Sequence, residues 1–225
     1  MTQADARTDT ERAEARAPED LVPAWLAVLV LLLLLAVVGV AGYAIRARLT
    51  DTRPQSAADI ALRNAQANVD AHPADPQARL DLGFAKQQAG KYAEAIAEYD
   101  AVLAKDPGNA AALYNKGMAL FQLKDSKQAE EVLWKLLKAE PTHALAAKAL
   151  GEYYAGKHQY RSLVVAVKPA ADARPDMADL QYLMGLAYEN LDHKDWATVR
   201  YREALKYVPD MPEARAGLER LGVKP

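Results

Sequence analysis

Apolar and polar positions divide the chain into two regimes. From Ala24 to Ile45 the sequence reads AWLAVLVLLLLLAVVGVAGYAI, a run without a single charged side chain. Further on, apolar residues recur at helical spacing, with Leu82, Ala85 and Ala89 followed by Ala95, Tyr99 and Val102. The first pattern predicts a continuous apolar helix, the second a series of shorter amphipathic ones. Turn signals separate the members of each pair at Ala89-Gly90-Lys91, Lys124-Asp125-Ser126, Gly156-Lys157-His158 and Leu191-Asp192-His193.

The second regime is periodic. Gly83, Gly117, Gly151 and Gly185 recur at one constant interval. Pro107, Pro141, Pro175 and Pro209 recur at the same interval, each at a fixed distance after its glycine. A period of this length, about 34 residues, is that of a helix–turn–helix repeat. Each proline ends a second helix, because it lacks the amide donor and clashes with the preceding turn. The glycine lies inside a first helix at a propensity cost of about 1 kcal/mol, which a close helix crossing has to offset. The predicted repeats are 76–109, 110–143, 144–177 and 178–211. The third is degenerate, with Leu163 where the others have a small alanine, and with Pro169 inside its second helix, predicting a short or kinked element. Pro73 lies one further interval before Pro107, so 56–75 reads as a half-repeat helix whose start has a capping-box spacing, Ser56 to Asp59. Residues 212–225 read as a capping helix.

At about 1.5 Å rise per residue the uncharged run covers roughly 33 Å, enough for a hydrocarbon core of about 30 Å. Trp25 and Tyr43 near its ends suit the interface. This predicts a single-pass transmembrane helix over 23–45, joined to the repeats by a linker, 46–55. A cleaved signal peptide is the rival reading. Its apolar region is normally shorter and follows positive charge, whereas Glu19 and Asp20 precede this one. Arg46, Arg48, Arg53 and Arg63 after the run, against Arg7, Arg12 and Arg16 before it, lean weakly towards cytoplasmic repeats.

Charge changes little else. The net formal charge is −2, with no basic excess to draw nucleic acid. Residues 1–22 carry six acids against three arginines and lack periodicity, which predicts a disordered acidic tail. The absence of cysteine excludes disulfides, thiolate metal sites and cysteine nucleophiles. His72, His143, His158 and His193 stand singly at repeat boundaries and turns, without a second ligand at metal spacing, so neither metal nor cofactor is expected. No phosphate-cradling loop or nucleophile motif appears, and an enzyme is not predicted.

Leu82, Gly83, Ala95, Tyr99 and Pro107, with the loop phrase Gly-Lys-Tyr-Ala-Glu-Ala at 90–95, resemble the tetratricopeptide repeat. So do Leu113, Gly117, Ala129, Leu133 and Pro141, and likewise Met184, Gly185, Tyr188, Ala197, Tyr201, Ala204 and Pro209. The third repeat keeps Leu150, Gly151, Tyr154, Ala170 and Pro175. The resemblance implies an all-α solenoid whose first helices line a concave groove for a protein or peptide. Carried onto this chain, the groove positions are Leu80, Phe84 and Gln87; Tyr114, Met118 and Phe121; Lys148 and Glu152; and Tyr182, Leu186 and Glu189. Core packing is the competing reading for any one of them. The clamp of lysine, asparagine and arginine by which some members grip a C-terminal carboxylate is missing, since Leu80, Asp81 and Phe84, then Tyr114, Asn115 and Met118, hold its places.

The architecture also resembles bacterial membrane-anchored assembly factors of the cytochrome c biogenesis type. That implies a membrane-tethered adaptor holding a client for assembly or maturation, with repeats outside the cytoplasm, against the lean of the arginines. A constitutive subunit of a membrane complex is the alternative.

Overall fold

The computed structural model describes residues 23–49 and 56–224. The expected disordered tail, 1–22, and the linker positions 50–55 lie outside the described residues. The chain divides into two bodies, Met1–Pro54 and Gln55–Pro225.

The first body contains α1, Ala24–Leu49, 26 residues long. Positions 46–49, expected as linker, continue this helix. Its described side chains, among them Trp25, Leu29, Leu33, Val38 and Tyr43, are exposed. Among the described residues no helix is long and apolar enough to cross a membrane. The structure thus does not support the transmembrane helix expected at 23–45.

The second body is an all-helical solenoid, without strands among the described residues. It begins with α2, Ala57–Ala71. Four helix pairs follow: α3, Pro76–Gln88, with α4, Tyr92–Leu103; α5, Ala110–Gln122, with α6, Ser126–Ala139; α7, Ala144–Gly156, with α8, Tyr160–Ala173; and α9, Ala178–Asn190, with α10, Lys194–Tyr207. The last helix is α11, Pro212–Arg220. Helix starts are set by local chemistry. Ser56 Oγ accepts from the Asp59 amide at 3.1 Å while Asp59 accepts from the Ser56 amide, closing both ends of a capping box. Asp75, Asn109 and Asp125 cap α3, α5 and α6 through their side-chain oxygens.

The turn within each pair repeats one backbone design. Gly90, Lys124, His158 and Asp192, at equivalent positions of the four repeats, all adopt a left-handed conformation, with φ between 56° and 74°. At each, the amide of that residue bonds back into the helix end and the following amide bonds one residue deeper, for example Gly90 to Gln87 and Lys91 to Lys86. This is the Schellman closure, for which glycine is the residue without steric cost. Three of the four repeats hold it with an ordinary side chain, at about 1 kcal/mol or more each.

The pairs are locked by the repeat glycines. A Cβ at Gly83 would stand 2.5 Å from a ring carbon of Tyr99, at Gly117 2.7 Å from Leu133, at Gly151 2.7 Å from Val167, and at Gly185 2.5 Å from Tyr201. The facing residue always follows its glycine at the same offset along the chain and is completely buried. Repeat three places the smallest residue, Val167, against its glycine, and Leu183 of the next repeat closes the same site at 2.9 Å. Tyr201 is gripped from both sides, since a Cβ at Gly217 of α11 would also come within 2.5 Å of its ring.

Pro169 does not shorten its helix: α8 runs unbroken over 14 residues, as long as α6 and α10. Both Pro169 and Val165, whose carbonyl loses its partner to the proline, lie on the exposed side, where water can satisfy that carbonyl. The expected shortening is thereby avoided.

Two substitutions test these constraints. Gly185→Ala gains about 1 kcal/mol of helix propensity, but overpacking against a fully buried ring costs about 1–3 kcal/mol. A net loss of up to about 2 kcal/mol is expected in urea unfolding. Lys124→Gly relieves the left-handed strain and is expected to raise stability by about 0.5–1 kcal/mol in the same assay.

Candidate functional site

The first helices, α3, α5, α7 and α9, are neighbours along the array, and equivalent positions on them form ladders. Leu80, Tyr114, Lys148 and Tyr182 share one register; Phe84, Met118, Glu152 and Leu186 share a second; Gln87, Phe121, Ala155 and Glu189 share a third. The rungs differ in what they present. Leu80 is buried, packed in a cluster with Ala95, Tyr99 and Val102, so it belongs to the core and not to a groove wall. Phe84 is 51% exposed. Tyr114, Met118 and Phe121 are half-buried, packed on the core by one side with the other open. Tyr114 lies 5.9 Å from the His143 ring, and Phe121 lies 5.3 Å from Tyr153.

Towards repeats three and four the ladder becomes charged. Lys148 bonds Asp179 of α9 and stands 3.9 Å from Glu152. The Asp179 hydrogen bond holds the Lys148 ammonium above its ordinary pKa. Burial, with the Glu152 carboxylate nearby, raises the Tyr114 hydroxyl in turn. Lys148, Glu152, Asp179, Tyr182 and Glu213 line a cleft of about 210 Å³ between α7, α9 and α11. Burial raises the Tyr182 hydroxyl, and Glu213 adds to the effect. Leu186 is half-buried above the same strip.

The third register behaves differently from its neighbours. Gln87 accepts a hydrogen bond from the Tyr99 hydroxyl at 3.0 Å. Glu189 accepts from the Tyr201 hydroxyl and takes a two-pronged bond from Arg220, at 2.7 and 2.8 Å. These two side chains hold the second helices and α11, which competes with any role at a groove. The pattern follows the residue that faces the repeat glycine. Where that residue is tyrosine, the third register supplies an acceptor; where it is Leu133 or Val167, the register holds Phe121 or Ala155. This pairing is present in the sequence, but a search confined to one face of the first helices passes over it.

Other polar anchors lie off the groove. Gln181, the one buried polar side chain among the described residues, donates to the Ala171 carbonyl at 2.7 Å and accepts from Arg200 at 2.9 Å. The Trp134 indole donates to the Tyr154 hydroxyl at 2.7 Å, which itself donates to Glu130. Burial first, then that carboxylate, pushes the Tyr154 hydroxyl up to about 12. His143 caps α7, accepting from the Ala146 amide, and His158 contacts the Tyr160 hydroxyl.

Stacked helix pairs repeating at one constant interval define an α-solenoid. Residues 86–153 match the tetratricopeptide repeat family model. No curated protein sequence matches the chain. Among solved structures, MamA (residues 41 to the end) from Desulfovibrio magneticus RS-1 is 26% identical with a TM-score of 0.57, over 69% of this chain and 88% of that one. The tetratricopeptide-repeat protein YrrB, described as having an unusual peptide-binding site, is 16% identical with a TM-score of 0.61, over 70% and 81%. A tetratricopeptide-repeat protein from Parabacteroides merdae ATCC 43184 is 17% identical with a TM-score of 0.58, over 71% and 64%. The matched segment resembles the tetratricopeptide repeat, and the array shares its fold with these proteins.

The Glu189 strut gives a pH test. Arg220 holds the Glu189 carboxyl below its ordinary value of 4.5. A depressed carboxylate contributes stability that is present above the unfolded value and disappears as pH falls through the folded one. Glu189→Gln is expected to cost about 1 kcal/mol at pH 7. It is also expected to flatten the loss of stability below about pH 5, read from urea unfolding across pH.

Proposed function

We propose that this chain is a membrane-tethered adaptor whose concave groove holds a segment of a protein partner. The observation that carries the reading is the run of Phe84, Tyr114, Met118 and Phe121, aromatic and thioether side chains left open on successive first helices. Such side chains favour apolar segments of another chain, and folds of this kind serve as interaction scaffolds. The peptide-binding site printed for YrrB belongs to that protein; here the residues named above support the same use.

Tethering rests on the uncharged run from Ala24 to Ile45 and on the helical backbone of α1, whose described apolar side chains are exposed. A residue set of this kind is costly to leave in water. Display of the repeats outside the cytoplasm, in the assembly or maturation of a membrane or exported protein of the cytochrome c biogenesis type, rests on architectural resemblance alone.

Two measurements test the proposal. Phe84→Ala and Tyr114→Ala are expected to weaken crosslinked capture of the partner severalfold while helical content stays unchanged; undiminished capture would remove the groove from the mechanism. Protease added to spheroplasts is expected to digest the repeats, and protease added to inside-out vesicles is expected to spare them. The reverse pattern would overturn the extracytoplasmic placement.

A further inference from the structure

A second exposed apolar surface lies on the second helices, away from the groove registers. Val165 of α8 and Val199 of α10 occupy equivalent positions, 65% and 63% exposed, and Trp196 beside them is 58% exposed. The same positions in the first two repeats hold Ala97 with Glu94, and Glu131 with Gln128. The surface is therefore confined to repeats three and four, and the demands of a generic repeat do not explain it.

It is also shaped. Lys168, Tyr188, Trp196, Val199 and Arg200 line a cleft of about 320 Å³. The Trp196 ring forms its wall, fixed edge-on to Tyr188 at 5.2 Å and tilted against His193 at 4.9 Å. A wall of packed aromatics beside aliphatic side chains suits an inserted apolar side chain.

Charge selects the partner. Asp172 pairs with both Lys168 and Arg200, which leaves the cleft one positive charge in excess. Over the whole helices, α8 has Arg161 and Lys168 against Asp172, and α10 has Lys194, Arg200, Arg202 and Lys206 against Asp195 and Glu203, a net of +3. By contrast the acids of α4 are matched by cations of the first helices and turn, Glu98 by Arg79 and Lys86, Asp100 by Lys116, and Glu94 by Lys91. The late end of the array thus presents a back that is both basic and apolar.

We infer that the backs of α8 and α10 form a second docking site for an acidic segment of a partner protein that inserts apolar side chains beside Trp196. A cleft with a fixed aromatic wall favours an inserted side chain over a flat lipid surface.

The test uses the full chain in phosphatidylcholine nanodiscs. The probe is a short fluorescein-labelled amphipathic peptide with leucine on one helical face and glutamate elsewhere, compared with its lysine-for-glutamate counterpart. Fluorescence anisotropy is expected to show the acidic peptide binding at least tenfold more tightly. Trp196→Ala and, separately, Lys168→Glu are expected to weaken it tenfold, with circular dichroism unchanged, while Phe84→Ala has no effect beyond twofold. Lys168→Glu alters an exposed charge and keeps the test valid if the tryptophan variant unfolds. Equal binding of the two peptides, or indifference to both substitutions, overturns the inference. So does adsorption of this face to phosphatidylglycerol vesicles without peptide binding, which would assign it to a membrane.

Discussion

The close crossing of paired helices at a glycine is the constraint on which the solenoid depends. Each repeat brings one residue of its second helix against bare backbone of its first, at separations no Cβ could share. The contact buries Tyr99, Leu133, Val167 and Tyr201 completely and fixes the angle at which the next pair is received. A fully buried side chain of this size contributes about 1.5–3 kcal/mol, more than the about 1 kcal/mol the helical glycine costs. Four such sites, evenly spaced along the chain, therefore set the pitch of the array.

That constraint also explains what can be read from residues alone. Glycines and prolines at a fixed interval are visible because no other residue can stand at a close crossing or end a helix as reliably. Helical periodicity, however, does not tell which flank of a first helix is open. Such a helix is sandwiched between its partner and the next repeat, so apolar residues occur on several sides. Leu80 thus shares a register with Tyr114 yet lies in the core. Gln87 and Glu189 resemble groove residues because they share a register with Phe121, but each is tied to a tyrosine of its own second helix. Pro169 illustrates a different gap: whether a proline breaks a helix depends on the side it faces, and that follows from packing. The left-handed turns at Lys124, His158 and Asp192 are hidden for a related reason, since only Gly90 advertises that conformation by its residue type.

The two faces of the solenoid divide the chemistry. The first helices present aromatic and thioether groups early in the array and charged, mutually paired groups later. The second helices reverse the order, with their exposed apolar and basic groups late in the array. Polar anchors such as Gln181 and the Trp134–Tyr154–Glu130 chain lie between these surfaces and hold neighbouring helices in register. Rigid backing of this sort lets exposed side chains keep a fixed spacing, which is what a binding surface built on stacked helices requires.

The small residue at the crossing of repeat three has a consequence for how the array can change. Val167 leaves its glycine incompletely covered, and Leu183 of the following repeat completes the packing. Repeat three is therefore not an interchangeable module. Moved to the end of the array, or followed by a repeat with a small residue at the Leu183 position, it would carry a void at its own centre. The order of the last two repeats is fixed by steric dependence, and they would be gained, lost or transplanted only as a pair.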